Sequence, residues 1–221
     1  FNTDNYAVDN KISIQMAARD LRYSWFEDIR KEHGFDFIAT AHNYNDSVET
    51  LLINLIRGTG IAGLHGIKSK ERNIVRPLIG CYKDEIHKYA KDNNIKYCED
   101  SSNSEDKYVR NKIRNKILPI MKEINPSIIN SIGKTILKMR DVEKLYNHML
   151  SRKKAQLLIK DNDEYRINIK SILKELSPKQ LLYELIFDFG FYDIDAVFKS
   201  LFSSSGKEFH SQDYYMIKDR T

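Results

Sequence analysis

Phe35-Asp36-Phe37-Ile38-Ala39-Thr40, running straight into Ala41-His42-Asn43-Tyr44-Asn45-Asp46-Ser47-Val48-Glu49-Thr50-Leu51-Leu52, is the stretch that decides the fold of this chain. Its first six residues are short, apolar and bounded by polar neighbours, the pattern of a buried strand. From Asn43 to Arg57, the residues Val48, Leu51, Leu52, Leu55 and Ile56 share one face at helical spacing, and Gly58 marks the stop. Upstream, Ile14, Ala17, Ala18, Leu21, Trp25, Phe26 and Ile29 recur as on an amphipathic helix from Ser13 to His33, with Ser13 as N-cap and Gly34 at the end. Downstream, Asn73 to Leu78 reads as a short strand, Tyr82 to Asn93 as a helix, and Ile95 to Cys98 as a small strand. Helix alternating with strand predicts an α/β fold with a parallel sheet.

The rhythm changes after Asp100. Lys107 to Ile117 reads as a basic helix stopped by Pro119. Pro126 opens a long periodic stretch through Ile128, Ile129, Ile132, Ile136, Met139 and Leu145. Tyr165 to Ile169 alternates like a strand, Ser177-Pro178 opens a helix, Asp193 to Phe202 forms another, and the tail predicts two short strands about a turn at Ser211 to Asp213. A boundary near Leu118 to Asn125 gives the expected organisation. Residues 1–118 form the α/β domain, 119–203 a smaller, mostly helical domain, and 204–221 a short β segment that starts a further region.

With 221 residues, 41% of them hydrophobic, the chain can bury a sizeable core. Two cysteines, Cys81 and Cys98, cannot build a disulfide framework and lack the spacing of a zinc site. No apolar run of about 18 residues is present, and the polar N-terminus lacks signal-peptide character, so the expectation is a soluble, cytoplasmic protein. The net charge of +5 is unevenly spread. Ser101 to Lys160 holds fourteen basic residues against five acidic ones, a net +9, and the remainder is −4. Such a stripe suits a phosphate-backbone partner or a solvated lysine-rich face.

Polar residues are densest where the first strand meets its helix. Ligands of open α/β sheets bind at the carboxyl ends of strands. Asp46 and Glu49, three apart on one face with His42 just before, could hold a hydrated Mg²⁺ or orient a reacting group; equally, they could cap the helix. Arg57-Gly58-Thr59-Gly60 could present backbone N–H groups to phosphate or simply end the helix. Arg19 and Arg22 flank Asp20 on the first helix, and such an arginine could clamp a phosphate or snorkel. Arg110 and Arg114 lie four apart, with Lys112 between, in a pattern that fits either nucleic acid or solvent.

Taken in order, these segments resemble the tRNA(Ile)-lysidine synthases of the PP-loop (N-type ATP pyrophosphatase) superfamily. Ser13-Ile14-Gln15-Met16-Ala17-Ala18-Arg19-Asp20-Leu21-Arg22-Tyr23 is similar to that family's S-x-Q-x-A-A-R-x-x-R-Y helix, and Ala39 to Thr50 to its A-T-A/G-H-x-x-x-D-Q-x-E-T element. Arg57-Gly58-Thr59-Gly60, Arg76-Pro77-Leu78, Glu99-Asp100-Ser101-Ser102-Asn103 and Tyr108-Val109-Arg110-Asn111-Lys112-Ile113-Arg114 follow in the family's order. The resemblance implies an adenine-nucleotide alpha-hydrolase-like catalytic domain followed by a helical tRNA-binding unit. It implies ATP and Mg²⁺ as cofactors, and tRNA(Ile) and free L-lysine as partners. The reaction implied joins lysine to C2 of the wobble cytidine of a CAU anticodon through an adenylate, releasing AMP and pyrophosphate. Carried over, Asp46 is the catalytic carboxylate and candidate Mg²⁺ ligand, supported by His42, with Arg22 and Arg114 on phosphate or adenylate. Arg57, Gly58, Thr59 and Gly60 line the nucleotide pocket, and Arg110, Lys112, Arg152, Lys153 and Lys154 face nucleic acid. Ser47 stands where the family has glutamine. The family's S-G-G-x-D-S loop is not among the 221 residues, so the α/β domain is expected to be incomplete at its N-terminus and inactive alone. A tRNA-thiolating ATPase of the same superfamily and a non-catalytic tRNA-binding module are the alternatives, and a homodimer is left open.

Overall fold

Ser13 caps the helix that its position predicts: its hydroxyl accepts a hydrogen bond from the Met16 amide at 3.3 Å. The computed structural model describes residues 1–98 and 109–220. The Glu99–Asn103 motif and the start of the expected basic helix, Lys107 and Tyr108, lie outside them. The described elements begin with α1 (Thr3–Asp9), α2 (Ile14–Glu32), β1 (Ile38–Ala39), α3 (Tyr44–Ile56), β2 (Lys70–Glu71), β3 (Ile74–Val75) and α4 (Lys83–Asp92). After these come α5 (Val109–Lys112), α6 (Leu118–Ile124), α7 (Ile128–Leu157), β4 (Leu158–Asp161), β5 (Glu164–Ile167), α8 (Ile169–Leu173), α9 (Pro178–Ile186), α10 (Ile194–Ser200), β6 (Lys207–His210) and β7 (Tyr215–Lys218).

The sheet of the first unit has the order β1-β3-β2. β1 and β3 are parallel, with Ile38 opposite Ile74 and Ala39 opposite Val75, and β2 adds an antiparallel edge. The parallel pair is the βαβ relationship expected of the α/β fold, with α3 in the crossover. β1 is shorter than its sequence predicts because Phe35 belongs to the end of α2. The Phe35 amide donates to the Arg30 carbonyl, and the Arg30 guanidinium donates back to the Phe35 carbonyl. Ile95 to Cys98 forms no strand: the Ile95 amide is spent on the Ala90 carbonyl at the end of α4.

Pro119 does not stop the basic helix. Between α5 and α6 the chain passes through a π-helical segment, Ile113–Ile117, and Pro119 falls in the first turn of α6, where a missing N–H costs little. Ile113 and Leu118 thereby join Val48, Leu51 and Leu52 of α3 and Ile129, Ile132 and Ile136 of α7 in one core. Each such side chain contributes about 1.5–3 kcal/mol by leaving water. Leu55 and Ile56, expected on the same face, are 57% and 67% exposed because the end of α3 runs past this core. Gly133 fits beneath Tyr44, whose hydroxyl would lie 1.4 Å from any Cβ there.

The chain divides into two compact units, Phe1–Asp141 and Val142–Thr221. The division lies within α7 rather than near residue 118, because Ile129, Ile132 and Ile136 pack into the first core. The second unit has its own core of Ile172, Leu182, Leu185, Ile186, Phe191 and Val197. Its strands form two antiparallel pairs, β4–β5 and β6–β7. β5 and the final pair follow the alternation of the sequence, whereas β4 was not expected; it turns into β5 through Asn162 at φ 55°.

Candidate active site

Asn43 opens α3 with a reciprocal cap: its side-chain oxygen accepts from the Asp46 amide at 3.2 Å, and Asp46 Oδ2 accepts from the Asn43 amide at 2.9 Å. The capping reading of Asp46 is therefore realised, and it fixes the carboxyl at the carboxyl edge of β1. Its other oxygen, Oδ1, lies 3.5 Å from Arg114 Nη2. One turn on, Glu49 is 1% exposed. It receives Arg114 bidentately, Nε to Oε1 at 2.7 Å and Nη2 to Oε2 at 3.0 Å. Arg110 stands 3.7 Å from the same carboxylate and donates to Thr50 Oγ1 at 3.0 Å. Among the described residues, two carboxylates and two guanidiniums thus form one cluster. The fork geometry of Glu49–Arg114 is the strong form of this pairing, and the hydrogen bonds to Glu49 raise the pKa of the Arg114 guanidinium against the opposing effect of burial.

The supporting contacts are local. Thr40 Oγ1 sits 2.9 Å from His42 Nδ1. Burial pushes the His42 imidazole below its ordinary pKa; Asp46 opposes that shift, and the fields of Arg76, Arg110 and Arg19 reinforce it. Asn45 Oδ1 accepts from the Lys83 amide at 3.0 Å, tying the start of α3 to that of α4. The buried Ser47 hydroxyl accepts from the Ile67 amide at 3.4 Å. Arg140 of α7 donates to the carbonyls of His65 and Ile67 at 2.9 and 2.6 Å, so this member of the basic stripe fastens a loop.

The expected site residues do not all come together. Asp46, His42, Arg114 and Arg110 come together, with Arg110 turned inward onto Glu49 and Thr50. Arg22 is exposed on α2 and makes no ion pair with the described residues; the α2 arginine whose field reaches His42 is Arg19. Arg57, Gly58, Thr59 and Gly60 follow the opposite end of α3, about 16 Å along the helix from Asp46. In the second unit Lys153 pairs with Glu175 at 2.6 Å and Lys154 with Asp188 at 2.7 Å. Arg152, like Lys112 in the first unit, is exposed without an ion-pair partner among the described residues. Thr50 and Arg76 were given no role from the sequence, and Glu49, read there with Asp46 and His42 as a group that could hold Mg²⁺ or orient a reacting group, was not carried into the catalytic set. The signal for Glu49 was present: an acid three residues after Asp46, on the helix face that carries the apolar positions.

Arginines converge here on the carboxyl edge of a parallel strand pair, the edge at which open α/β sheets bind ligands, and the comparisons agree with that fold class. A model of the PP-loop domain matches residues 1–121, and the chain belongs to that family. A model of the TilS substrate binding domain matches residues 160–221. Along its whole length the chain is similar to proteins named tRNA(Ile)-lysidine synthase, being 44% identical to that of Bacteroides thetaiotaomicron and 39% identical to that of Parabacteroides distasonis. It covers 51% and 50% of those two proteins. The synthase of Thermosipho africanus is 48% identical over 57% of the chain, which corresponds to 30% of that protein. The chain therefore spans about half the length of the curated relatives it matches. Among the described residues no helix is long and apolar enough to cross a membrane.

Proposed function

We propose that this chain is the part of an ATP-dependent tRNA(Ile)-lysidine synthase that carries the acid–arginine cluster of the ligation site. The observation that supports this best is the Asp46–Glu49–Arg110–Arg114 cluster, built from four of the positions at which the chain resembles that family. The cytidine O2 would take the adenylyl group of ATP with release of pyrophosphate, and the ε-amine of lysine would then attack C2 and displace AMP.

The residues present fit a polyphosphate. Arg110 and Arg114 are presented at the strand edge by a buried carboxylate, and Arg19 and Arg76 add positive field there. The longer 3.5 Å pair between Arg114 and Asp46 is the one an incoming phosphate can replace, because Glu49 still holds the guanidinium in place. Asp46, so released, is placed to bind the lysine ammonium. His42, kept neutral by its surroundings, accepts a proton beside it. The residues do not fit a metal held by protein alone: no group of three acids, histidines or cysteines with that geometry exists among the described residues. No step is assigned to the ion.

The test uses the product of the whole reading frame that encodes this chain, with ATP, labelled lysine and a tRNA(Ile) transcript carrying a CAU anticodon. Lysine is expected to become fixed to the RNA, and Asp46→Ala is expected to abolish that fixation while leaving RNA binding in place. An intact, folded product that fixes no lysine overturns the proposal.

A further inference from the structure

Three aromatic side chains from distant parts of the second unit meet on its surface. Tyr165 on β5 packs on Phe189 with ring centroids 4.9 Å apart, and Phe189 packs on Tyr214 at 5.0 Å, edge to face. Phe189 is rooted in the second core, whereas Tyr165 and Tyr214 are 44% and 48% exposed. Lys160, directly opposite Tyr165 in the β4–β5 ladder, holds its ammonium 5.8 Å from the Tyr165 ring centroid.

The arrangement is braced from both sides. Gly190, at φ +82°, brings the turn after α9 so close to Ser211 that a Cβ would lie 3.1 Å from the serine Cβ. Ser211 in turn fixes Tyr214: its amide donates to the Tyr214 carbonyl at 2.8 Å, and its hydroxyl accepts from the Tyr214 amide at 3.1 Å. Two half-exposed tyrosines propped on a core phenylalanine leave ring surface facing water, where a structural cluster would turn it inward.

We propose that Tyr165, Phe189 and Tyr214, with Lys160 at one end, form a stacking platform for unpaired nucleobases of RNA. Any base can stack on such rings, and a cation beside them suits the neighbouring phosphate. Charge favours RNA over a protein partner. Lys160 and Arg152, which is exposed and has no ion-pair partner among the described residues, belong to the +9 stripe, and of the hairpin acids Asp161, Asp163 and Glu164 the first and last are engaged by Arg166. The match of residues 160–221 to a substrate binding domain covers all three rings. The proposal rests on the RNA substrate proposed above and adds the element that is read: a looped or single-stranded segment rather than a duplex.

The experiment measures binding of the 221-residue chain to a short fluorescent single-stranded RNA and to the duplex of the same sequence, without ATP or lysine. Tyr165→Leu and Tyr214→Leu, which keep apolar bulk but lose the ring, are each expected to weaken single-strand binding about fivefold to a hundredfold. Duplex binding should stay unchanged, and Tyr165→Phe should bind as the wild type does. The proposal is overturned if the wild type does not bind the single strand, or if the leucine variants bind it normally or lose both RNAs alike. It is also overturned if Tyr165→Phe is as weak as Tyr165→Leu, which would mark a structural or protein-docking role. Lysine fixation that survives Tyr165→Leu would leave the ligase reading standing without the platform, and a platform without fixation would do the reverse.

Discussion

Glu49→Gln is the perturbation that separates a buried acid–arginine fork from an incidental contact. Glu49 is 1% exposed and takes two hydrogen bonds from Arg114, at 2.7 and 3.0 Å. Removing one partner of a buried pair costs about 3–5 kcal/mol. Glutamine keeps the shape and one acceptor oxygen, and the Arg114 side chain is 26% exposed, so water can solvate it in part. Glu49→Gln should therefore cost about 2–3 kcal/mol. Arg114→Gln leaves the less accessible charge stranded and should cost the full range, about 3–5 kcal/mol. The double variant should be less destabilised than the sum of the two by about 2 kcal/mol. Urea unfolding followed by tryptophan fluorescence is the assay, because the one tryptophan of the chain, Trp25, lies in the same compact unit as the pair. A Glu49→Gln protein within about 0.5 kcal/mol of wild type, or strictly additive variants, would refute the reasoning.

Two further expectations concern pH and salt. His42 is held below its ordinary pKa of 6.5, so in the window just below pH 6.5 the unfolded chain binds more protons at this residue than the folded one. Its contribution to stability is complete above that window and lost as pH falls through the folded value; His42→Asn should flatten that part of the stability profile, and an unchanged profile counts against the burial of His42. In the basic triplet, Arg152 has no ion-pair partner among the described residues, whereas Lys153 and Lys154 face Glu175 and Asp188. Arg152→Ala alone should lower the salt slope of RNA binding by about 0.7–0.9, with smaller effects for Lys153→Ala or Lys154→Ala; three equal effects would mean that the two ion pairs open on binding.

The fold was legible wherever local chemistry sets it. Ser13, Asn43, Gly34 and Gly58 bound their helices as the sequence predicts, because capping and left-handed stops depend on a few neighbouring residues. Ile95 to Cys98 misled because apolar residues make a strand only where an edge is offered, and the Ile95 amide already has a partner in the α4 end. That Asp46, His42 and Arg114 lie near one another was legible through motif order. Which way Arg110 faces was not, since solvent and carboxylate are equally open to an arginine on a helix surface until the fold brings Glu49 to it. Arg152, Lys153 and Lys154 look alike as letters, and the acids that distinguish them lie more than twenty residues away.

The π-helical segment Ile113–Ile117 acts as a phase lock on the helical path through this region. A residue accommodated in a wider turn sets the angular offset between the helix before it and the helix after it, about 100° for each residue of an ordinary helix. Before the segment, Arg110 is aimed at Glu49 and Thr50; across and after it, Ile113, Leu118 and Met121 are aimed at the core. Deleting one residue there would straighten the helix and rotate one set away from its target. Length, more than side-chain identity, is then what this stretch must preserve. Substitutions at its exposed positions Asn115 and Lys116 leave the phase unchanged, whereas a single inserted or missing codon uncouples the arginine cluster from the core that supports it.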